Sequence, residues 1–350
     1  MKSLRLLAII ASFVVGIMSL SPGLALAVDD QTVSAKPNCR DITAPVALAP
    51  GQEATEHITG TLCLPKYFAT KDRQLDILVH GATYNRTYWN FPAQSPQDTY
   101  VNRTLAAGRA VFAYDRLGAG GSSHPSSSLL TTDTDAYVLH QIVEFIRKTH
   151  FVQNINVVGH SLGSIIGIHE AATYHDIDRL ALTGSLHGHG SKEAEAVQTA
   201  LYPASLDPQF ASKGYDEGYL TTTPNARGKF FYYLPGADPA VVAYDEAHKD
   251  VVSATLFGNF INEFYAPAGS NLSNQVDVPV LVVDGQYDLL YCGLALDCNS
   301  PAAITANEAP YYTGSPSFTA KIIANTGHDV ALHTSANNSF ATINKWLQSK

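Results

Sequence analysis

The segment 155–166 constrains the fold of this chain more than any other, because a short apolar, β-branched run there passes directly into helical spacing. Between the two lies the pattern Gly159-x-Ser161-x-Gly163. A chain that changes from strand to helix within so few residues must turn sharply, so the apex residue is strained and its neighbours must be small. The pattern predicts a nucleophile elbow, with the Ser161 side chain raised above the carboxyl edge of a sheet. A Gly/Ser turn without chemistry is the alternative, and the flanking strand and helix patterns disfavour it.

Strand and helix patterns alternate along the rest of the chain, which is typical of a mostly parallel α/β sheet flanked by helices. Further strands are predicted at 57–64, 75–79, 110–114, 180–186, 280–283 and 318–324. Residues 28–50 are predicted to be an irregular lead-in. Thr132 is expected to cap a helix, and 331–347 to form a closing helix. In such sheets, ligands bind outside the carboxyl ends of the strands.

One long segment breaks this alternation. Between the strand ending near Leu186 and the strand at Val280 lie about 90 residues without a clear strand pattern. The segment is rich in aromatic residues, and a structureless loop of that length is implausible in a compact domain. We therefore expect a helical cap or lid at 190–275 that covers an apolar pocket. A surface domain unrelated to catalysis is the alternative.

The N-terminus has the features of an export signal. Lys2 and Arg5 are basic, residues 6–20 are almost wholly apolar, and Ala25-Leu26-Ala27 is a small-x-small cleavage site. A membrane anchor is the alternative, but a bilayer span needs about 20 apolar residues. We therefore expect a signal peptide at 1–27 and a secreted domain at 28–350, extracellular or periplasmic, without stable membrane insertion.

Composition limits the class of partner. Of the 350 residues, 45% are hydrophobic and 15% are charged, as in a globular protein large enough for one big α/β domain. The net charge is −9 and no basic run occurs, which argues against binding to nucleic acid or to an anionic membrane surface. The oligomeric state is not fixed by the sequence.

Four cysteines in an exported chain predict two disulfides, for which three pairings are possible. Cys39 with Cys63 would tie the N-terminal segment to the first strands, and Cys292 with Cys298 would close a short loop. Their spacing matches no zinc pattern. Four N-x-S/T sequons, which matter only in a eukaryotic source, lie at Asn85, Asn102, Asn271 and Asn337.

A serine nucleophile needs a base, and His328 is the best candidate among 13 histidines. It follows the last predicted strand, so its loop should lie at the same sheet edge as Ser161. His160 is adjacent to the serine, where side chains point apart, and His333 falls in the predicted closing helix. His187 and His189 follow another strand and could line the pocket or bind a metal, although polar loop residues are the more common finding.

The base in turn needs a buried carboxylate, and Asp288 is the best candidate. It lies in the loop after a buried strand. Asp284 is its rival but lies nearer the strand end, and Asp329 is too close in sequence to His328 to reach round it. For the oxyanion hole we expect the backbone N–H of Leu162 and one from Ala82, or less favourably from Thr83.

From about residue 57 to its end, the chain resembles the α/β-hydrolase fold superfamily, in its capped serine esterase/lipase-like branch. The segments that carry the resemblance are His80-Gly81-Ala82, 115–122, 159–163, 285–288 and Gly327-His328. The resemblance implies a catalytic triad of Ser161, Asp288 and His328 beneath a helical cap, with a mainly structural role for the Asp115 motif. The oxyanion loop reads His-Gly-Ala-Thr, which disfavours the esterases that carry His-Gly-Gly-Gly.

The leading hypothesis is therefore a secreted hydrolase that cleaves an apolar or aromatic carboxylic ester through an acyl-enzyme. A peptidase, lactonase or carbon–carbon bond hydrolase with the same triad is the same-fold alternative, because the cap sets substrate choice. A non-catalytic binding protein of this fold is the third reading, although no triad member is missing. No cofactor, whether metal, nucleotide or flavin, is expected from the sequence.

Overall fold

The computed structural model describes residues 38–68, 73–150, 152–188, 197, 199–293 and 296–349. The predicted signal peptide and His189 therefore lie outside the described residues. The described strands are β1 (Asn38–Val46), β2 (Glu56–Leu64), β3 (Gln74–Val79), β4 (Ala110–Tyr114), β5 (Asn154–His160), β6 (Arg179–Thr183), β7 (Leu201–Pro203), β8 (Tyr219–Thr222), β9 (Val252–Ser253), β10 (Val280–Gly285) and β11 (Phe318–Ile323).

The main sheet has eight strands in the order β1-β2-β4-β3-β5-β6-β10-β11. From β4 to β11 all neighbouring strands are parallel, whereas β2 pairs antiparallel with both β1 and β4. The predicted mostly parallel sheet is confirmed. The parallel strands end at one edge, so the loops after β3, β5, β10 and β11 are brought together there.

Helices pack on both faces of this sheet. The described helices are α1 (Tyr100–Ala106), α2 (Thr132–His150), α3 (Leu162–Tyr174), α4 (Ala226–Phe230), α5 (Pro239–Ala247), α6 (Ala254–Tyr265), α7 (Pro301–Glu308) and α8 (Ala336–Gln348), of which α4 to α6 belong to an insertion between β6 and β10. On β3, Ile77 and Val79 enter the core shared with α2 and α3, while Leu78 between them enters the core shared with α1 and α8. A strand that is apolar on both faces fits this two-sided burial. None of the described helices has the length and apolar character needed to cross a bilayer.

Between β6 and β10 the chain forms an insertion, residues 197–275, that contains α4, α5 and α6. It also contains a small antiparallel sheet of β7, β8 and β9. The segment, which shows no clear strand pattern in the sequence, thus contains short strands beside its helices. These strands have two to four residues, which is too short for a two-residue alternation to be recognised.

Four other boundaries differ from the sequence prediction. Residues 38–46 form the edge strand β1 rather than an irregular lead-in, and their exposed outer half hides the alternation. Helix α8 begins at Ala336, so His333 precedes it. Thr132 already lies within α2, and the capping oxygen belongs to Thr131, which accepts a 3.1 Å bond from the backbone N–H of Thr134. Strand β6 ends at Thr183 rather than at 186.

Both cysteine pairs favoured by the sequence are bonded in the structure. Cys39 and Cys63 lie opposite each other on the paired strands β1 and β2. Cys292 and Cys298 close a loop shortly after β10. The first bond joins two strands that are already paired, whereas the second shapes the loop that follows Asp288.

Candidate active site

Ser161 occupies the sharp turn between β5 and α3, with φ 53° and ψ −119°. Such a positive φ is uncommon for any residue other than glycine. A Cβ atom on Gly159 would lie 2.5 Å from the Gly163 carbonyl oxygen, and one on Gly163 would lie 2.3 Å from the Val79 carbonyl oxygen. The strained strand-to-helix turn expected from the sequence is thus present, and both neighbours must be glycine.

His328 follows β11 and is bonded through Nδ1 to Oδ2 of Asp288, at 2.8 Å. Oδ1 of the same carboxylate accepts a 2.8 Å bond from the backbone N–H of Leu290. The bond through Nδ1 leaves Nε2 of His328 as the nitrogen available to a reacting group. Within the described residues no hydrogen bond joins Ser161 Oγ to His328, but both residues line the same cavity. Such bonds are often long before substrate binds.

Electrostatics distinguish Asp288 from Asp284. Burial works to raise the pKa of Asp288, but the charge and hydrogen bond of His328 outweigh it and the net pKa is lowered. Burial, and then the charge of Asp288, raise the pKa of Asp284 well above its usual range. Burial works to lower the pKa of His328, but Asp288 outweighs it and the net pKa is raised. Of these two acids, Asp288 therefore favours the ionised carboxylate form, and Asp284 favours the protonated form.

The other candidate histidines have different partners. His187 Nδ1 lies 2.9 Å from Glu308 Oε2, and His187 does not line the cavity that contains Ser161. His333 Nε2 accepts backbone N–H bonds from Gly327 and Tyr233, each at 3.0 Å. His333 thus fastens the loop that carries His328 to the insertion.

The loop after β3 approaches the elbow closely. A Cβ atom on Gly81 would lie only 3.2 Å from Ser161 Cβ, and Ala82 lines the same cavity as Ser161. Leu162 is the first residue of α3, where backbone N–H groups have no acceptor inside the helix. Thr83 also lines this cavity, and its Oγ1 accepts a 2.8 Å bond from Arg227. The backbone N–H groups of Ala82 and Leu162 stay the predicted oxyanion donors, with Thr83 as the less favoured alternative to Ala82.

Arg116 holds this loop in place, a contact that sequence reasoning missed. Its guanidinium donates to the carbonyl oxygens of His80 and Gly81, both at 3.2 Å, and to Oδ2 of Asp135 at 3.0 Å. Both members of this ion pair are buried. The Asp115-Arg116 segment therefore has a structural role, in agreement with the resemblance.

A buried hydrogen-bond network, which we call the Tyr84 network, lies behind the site. The Tyr84 hydroxyl is 2.5 Å from Asp329 Oδ2 and 2.9 Å from Asp245 Oδ2. Asp329 Oδ1 lies 3.1 Å from His160 Nε2, and Arg227 donates to Asp245 Oδ1 at 2.9 Å. Burial raises the pKa of both Asp245 and Asp329. The network links the insertion to the residue before Ser161 and to the residue after His328.

The cavity beside Ser161 has a volume of about 40 Å³ and is mainly apolar. Aromatic rings from the insertion form much of its wall; they belong to Phe230, Phe231, Phe257 and Phe260. No Asp, Glu, Lys or Arg is among the described residues that line it. Ser161 itself is only 7% exposed. The site can therefore hold a small uncharged group against the serine and exclude most water.

Solved structures with this fold include several enzymes. A thermophilic esterase from Thermogutta terrifontis is 17% identical, with a TM-score of 0.58. The match covers 88% of this chain and 98% of the esterase. A monoglyceride lipase from Saccharomyces cerevisiae is 17% identical, with a TM-score of 0.57 and coverage of 87% and 96%. An enol-lactonase from Burkholderia xenovorans LB400 is 16% identical, with a TM-score of 0.55 and coverage of 87% and 100%. At such identities the likeness concerns the fold alone.

Comparison with the curated proteins gives no match. A family model described as the alpha/beta hydrolase family, however, matches residues 77–341. This range runs from the second half of β3 past β11 and contains every candidate triad and oxyanion residue. The predicted fold class and superfamily are thereby confirmed, and the chain belongs to the alpha/beta hydrolase family.

Proposed function

We propose that the protein is a secreted serine hydrolase that cleaves carboxylic esters with an apolar or aromatic group, through an acyl-enzyme. One arrangement carries this proposal. Ser161, on a strained turn, and His328, bonded to Asp288, line one apolar cavity. A hydroxyl, an imidazole and a buried carboxylate in this order are the groups that acyl transfer requires.

In the first half-reaction, Ser161 Oγ attacks the ester carbonyl carbon while His328 Nε2 takes its proton. The tetrahedral oxyanion accepts hydrogen bonds from the backbone N–H groups of Ala82 and Leu162. Asp288 stabilises the imidazolium that forms. When the intermediate collapses, the carbon–oxygen bond to the alcohol breaks, and the alcohol leaves with the proton from His328.

In the second half-reaction, water attacks the acyl-enzyme and His328 again takes a proton. The second tetrahedral intermediate then collapses, and its bond to Ser161 Oγ breaks, which releases the carboxylic acid. His328 returns the proton to Ser161 Oγ. The apolar wall of the cavity shields the acyl-enzyme from water other than the attacking molecule.

The cavity supports a small uncharged acyl group as substrate. Its volume is only about 40 Å³ and its wall is mainly apolar. Longer groups require the insertion to move. We therefore assign residues 190–275 the role of a lid, and residues 1–27 that of a signal peptide removed by cleavage after Ala27.

The structural neighbours support an ester-type carbonyl as the reacting group, since they include an esterase, a monoglyceride lipase and an enol-lactonase. A lactone is an internal ester and would need the same steps. A peptidase or carbon–carbon bond hydrolase would use the same triad, but a charged peptide finds no ionic partner among the described cavity residues.

Two measurements test the proposal. A fluorophosphonate probe should label the wild type and the exposed-loop variant Ser126→Ala, and should not label Ser161→Ala. Hydrolysis of nitrophenyl esters should be fastest for short acyl chains and fall as the chain lengthens. An unlabelled wild type, or full labelling of Ser161→Ala, would indicate a binding protein rather than an enzyme. Cleavage of peptides or lactones without cleavage of simple esters would favour the alternative substrates.

A further inference from the structure

Three side chains that the proposed reaction does not use meet at one point between α2, α3 and the loop before β6. They are His140, Glu170 and Asp176, from each of which one ligand atom lies within 4.8 Å of the others. His140 Nδ1 is 2.7 Å from Asp176 Oδ2. Glu170 lies 30 positions after His140 and 6 positions before Asp176, so no sequence motif indicates the cluster.

Glu170 is the unusual member of this cluster. It is 0% exposed, and neither of its carboxyl oxygens receives a hydrogen bond from an N–H or hydroxyl donor in the described structure. Oδ1 of Asp176 is also buried without a partner. A buried carboxylate that is neither paired nor hydrogen-bonded is strongly unfavourable, so Glu170 must either keep a proton or face a cation. Burial, and then a side-chain hydrogen bond with Asp176 that only a protonated carboxyl can make, raise the pKa of Glu170 well above its usual range.

A proton shared between Glu170 and Asp176 would give a hydrogen-bond partner to only some of these carboxyl oxygens. One proton between Glu170 and Asp176 pairs two oxygens and leaves the other Glu170 oxygen without a partner. The nearby guanidinium of Arg147 does not supply that partner, because it donates to the Asp176 carbonyl at 2.7 Å and to Asp178 Oδ2 at 3.3 Å. A divalent cation can contact all three residues at once and neutralise both carboxylates.

We propose that His140, Glu170 and Asp176 bind one divalent transition-metal ion, with Zn²⁺ preferred and Mn²⁺ next. An imidazole with two carboxylates is a mixed nitrogen and oxygen donor set, which suits these ions better than Ca²⁺ or Mg²⁺. The side chains of His140 and Asp176 are 23% and 24% exposed, so an ion can enter from solvent and complete its coordination with water. This site goes against the expectation of no metal that we drew from the sequence.

The position of the site defines its role. Glu170 lies on α3, the helix whose first turn follows Ser161, and His140 lies on α2, which packs against α3. The ion would join these helices to the loop that leads into β6. It would therefore stabilise the layer that supports the elbow, without contact with the substrate.

The test uses the full chain, purified without an affinity tag that binds metal and treated with EDTA. Zn²⁺ at about 100 times its dissociation constant should raise the melting temperature by about 5 °C, with a smaller rise from Mn²⁺ and none from Ca²⁺. Elemental analysis should then find close to one zinc per chain. Glu170→Gln should lose both responses. Glu144→Gln, the same change on an exposed side chain of α2, should keep them.

The competing arrangement, a shared proton, gives the opposite result. The new amide in Glu170→Gln would donate to Asp176 in place of the proton, so the variant would match the wild type in stability and neither protein would respond to metal. That outcome overturns the proposal, and so does a zinc response that survives Glu170→Gln. If Glu170→Gln does not fold, the same test is made on the partly exposed His140. His140→Gln should lose the zinc response, and an unchanged response would refute the site.

Discussion

Nδ1 of His328 lies 2.8 Å from Oδ2 of Asp288, and both side chains are buried. In the proposed mechanism, this bond fixes the imidazole in the tautomer that leaves Nε2 able to accept a proton from Ser161. In Asp288→Asn the amide cannot stabilise the imidazolium and favours the wrong tautomer. We expect kcat/KM for a nitrophenyl ester to fall by about 10³–10⁴-fold, with the fold retained by circular dichroism.

Asp284→Asn is the matched control for this change. Asp284 is also buried, near the end of β10, but its raised pKa means that it favours the neutral form, which an amide resembles. We expect its kcat/KM to change by less than about 10-fold. Equal losses in the two variants would show that the carboxylate role is shared or lies with Asp284.

The activity should rise with pH through the pKa of His328. The base works only when neutral, and its pKa is raised above the ordinary value of 6.5 because Asp288 outweighs burial. The acid limb of the kcat/KM profile should therefore have its midpoint above 6.5. In Asp288→Asn, burial is opposed only by the more weakly acting Asp329, and the midpoint should move to lower pH. A wild-type midpoint below 6.5 would contradict the assignment of His328 as the base.

Much of this site was predictable because it follows simple rules of chain geometry. Ser161, Asp288 and His328 each follow a strand of a parallel sheet, and such strands end at one edge. The elbow was predictable because only glycine fits at 159 and 163, which leaves a local mark in the sequence. What remains a proposal is the chemistry that these residues perform.

The Tyr84 network was not predictable, because its members share no motif or spacing. Tyr84, Asp245 and Asp329 are brought together by the packing of the insertion on the sheet edge. Sequence reasoning set Asp329 aside as too close to His328 in the chain, and the structure bonds it to His160 instead. Contacts of this kind depend on tertiary packing, which periodicity does not describe.

Tyr84→Phe should destabilise the protein. The hydroxyl contacts two buried carboxyl groups, and one phenol proton serves only one of them, so the network already requires a proton on a carboxyl group. Loss of the hydroxyl leaves Asp329 Oδ2 without this partner, whereas Asp245 Oδ2 keeps a 3.0 Å bond from the Tyr232 hydroxyl. We expect the free energy of unfolding to fall by about 1–3 kcal/mol in urea titrations. Tyr67→Phe, at a 79% exposed position, should stay within about 0.5 kcal/mol of the wild type.

Phe260→Ala should lengthen the preferred acyl chain. Phe260 lines both the cavity beside Ser161 and a second apolar cavity of about 20 Å³, so loss of its ring should join the two. We expect the best nitrophenyl ester to become longer by a few carbons, with a stability loss of about 3–5 kcal/mol. Phe257 lines only the first cavity, so Phe257→Ala should widen the site without this change in chain length. The same ester preference in both variants would contradict this view of the cavity.

The two disulfides should differ in what they control. The Cys39–Cys63 bond closes 24 residues, and its removal by a double serine substitution should cost about 3.5 kcal/mol on the chain-entropy relation. The Cys292–Cys298 bond closes 6 residues, and its removal should cost about 2 kcal/mol. Stability should be measured by urea unfolding of both double variants.

Activity should depend more on the Cys292–Cys298 bond than on the Cys39–Cys63 bond, which is the reverse of the order expected for stability. The backbone N–H of Cys292 donates a 2.8 Å bond to the Asp288 carbonyl, so the second disulfide shapes the loop that carries the proposed catalytic carboxylate. Misplacement of that loop lowers kcat because the His328–Asp288 bond depends on it, and we expect a loss of at least about 10-fold in Cys292→Ser/Cys298→Ser. Cys39→Ser/Cys63→Ser, at the edge of the sheet remote in sequence from this loop, should keep kcat within about 2-fold wherever it is folded. If kcat fell equally in both variants, the second disulfide would have no special role in positioning Asp288.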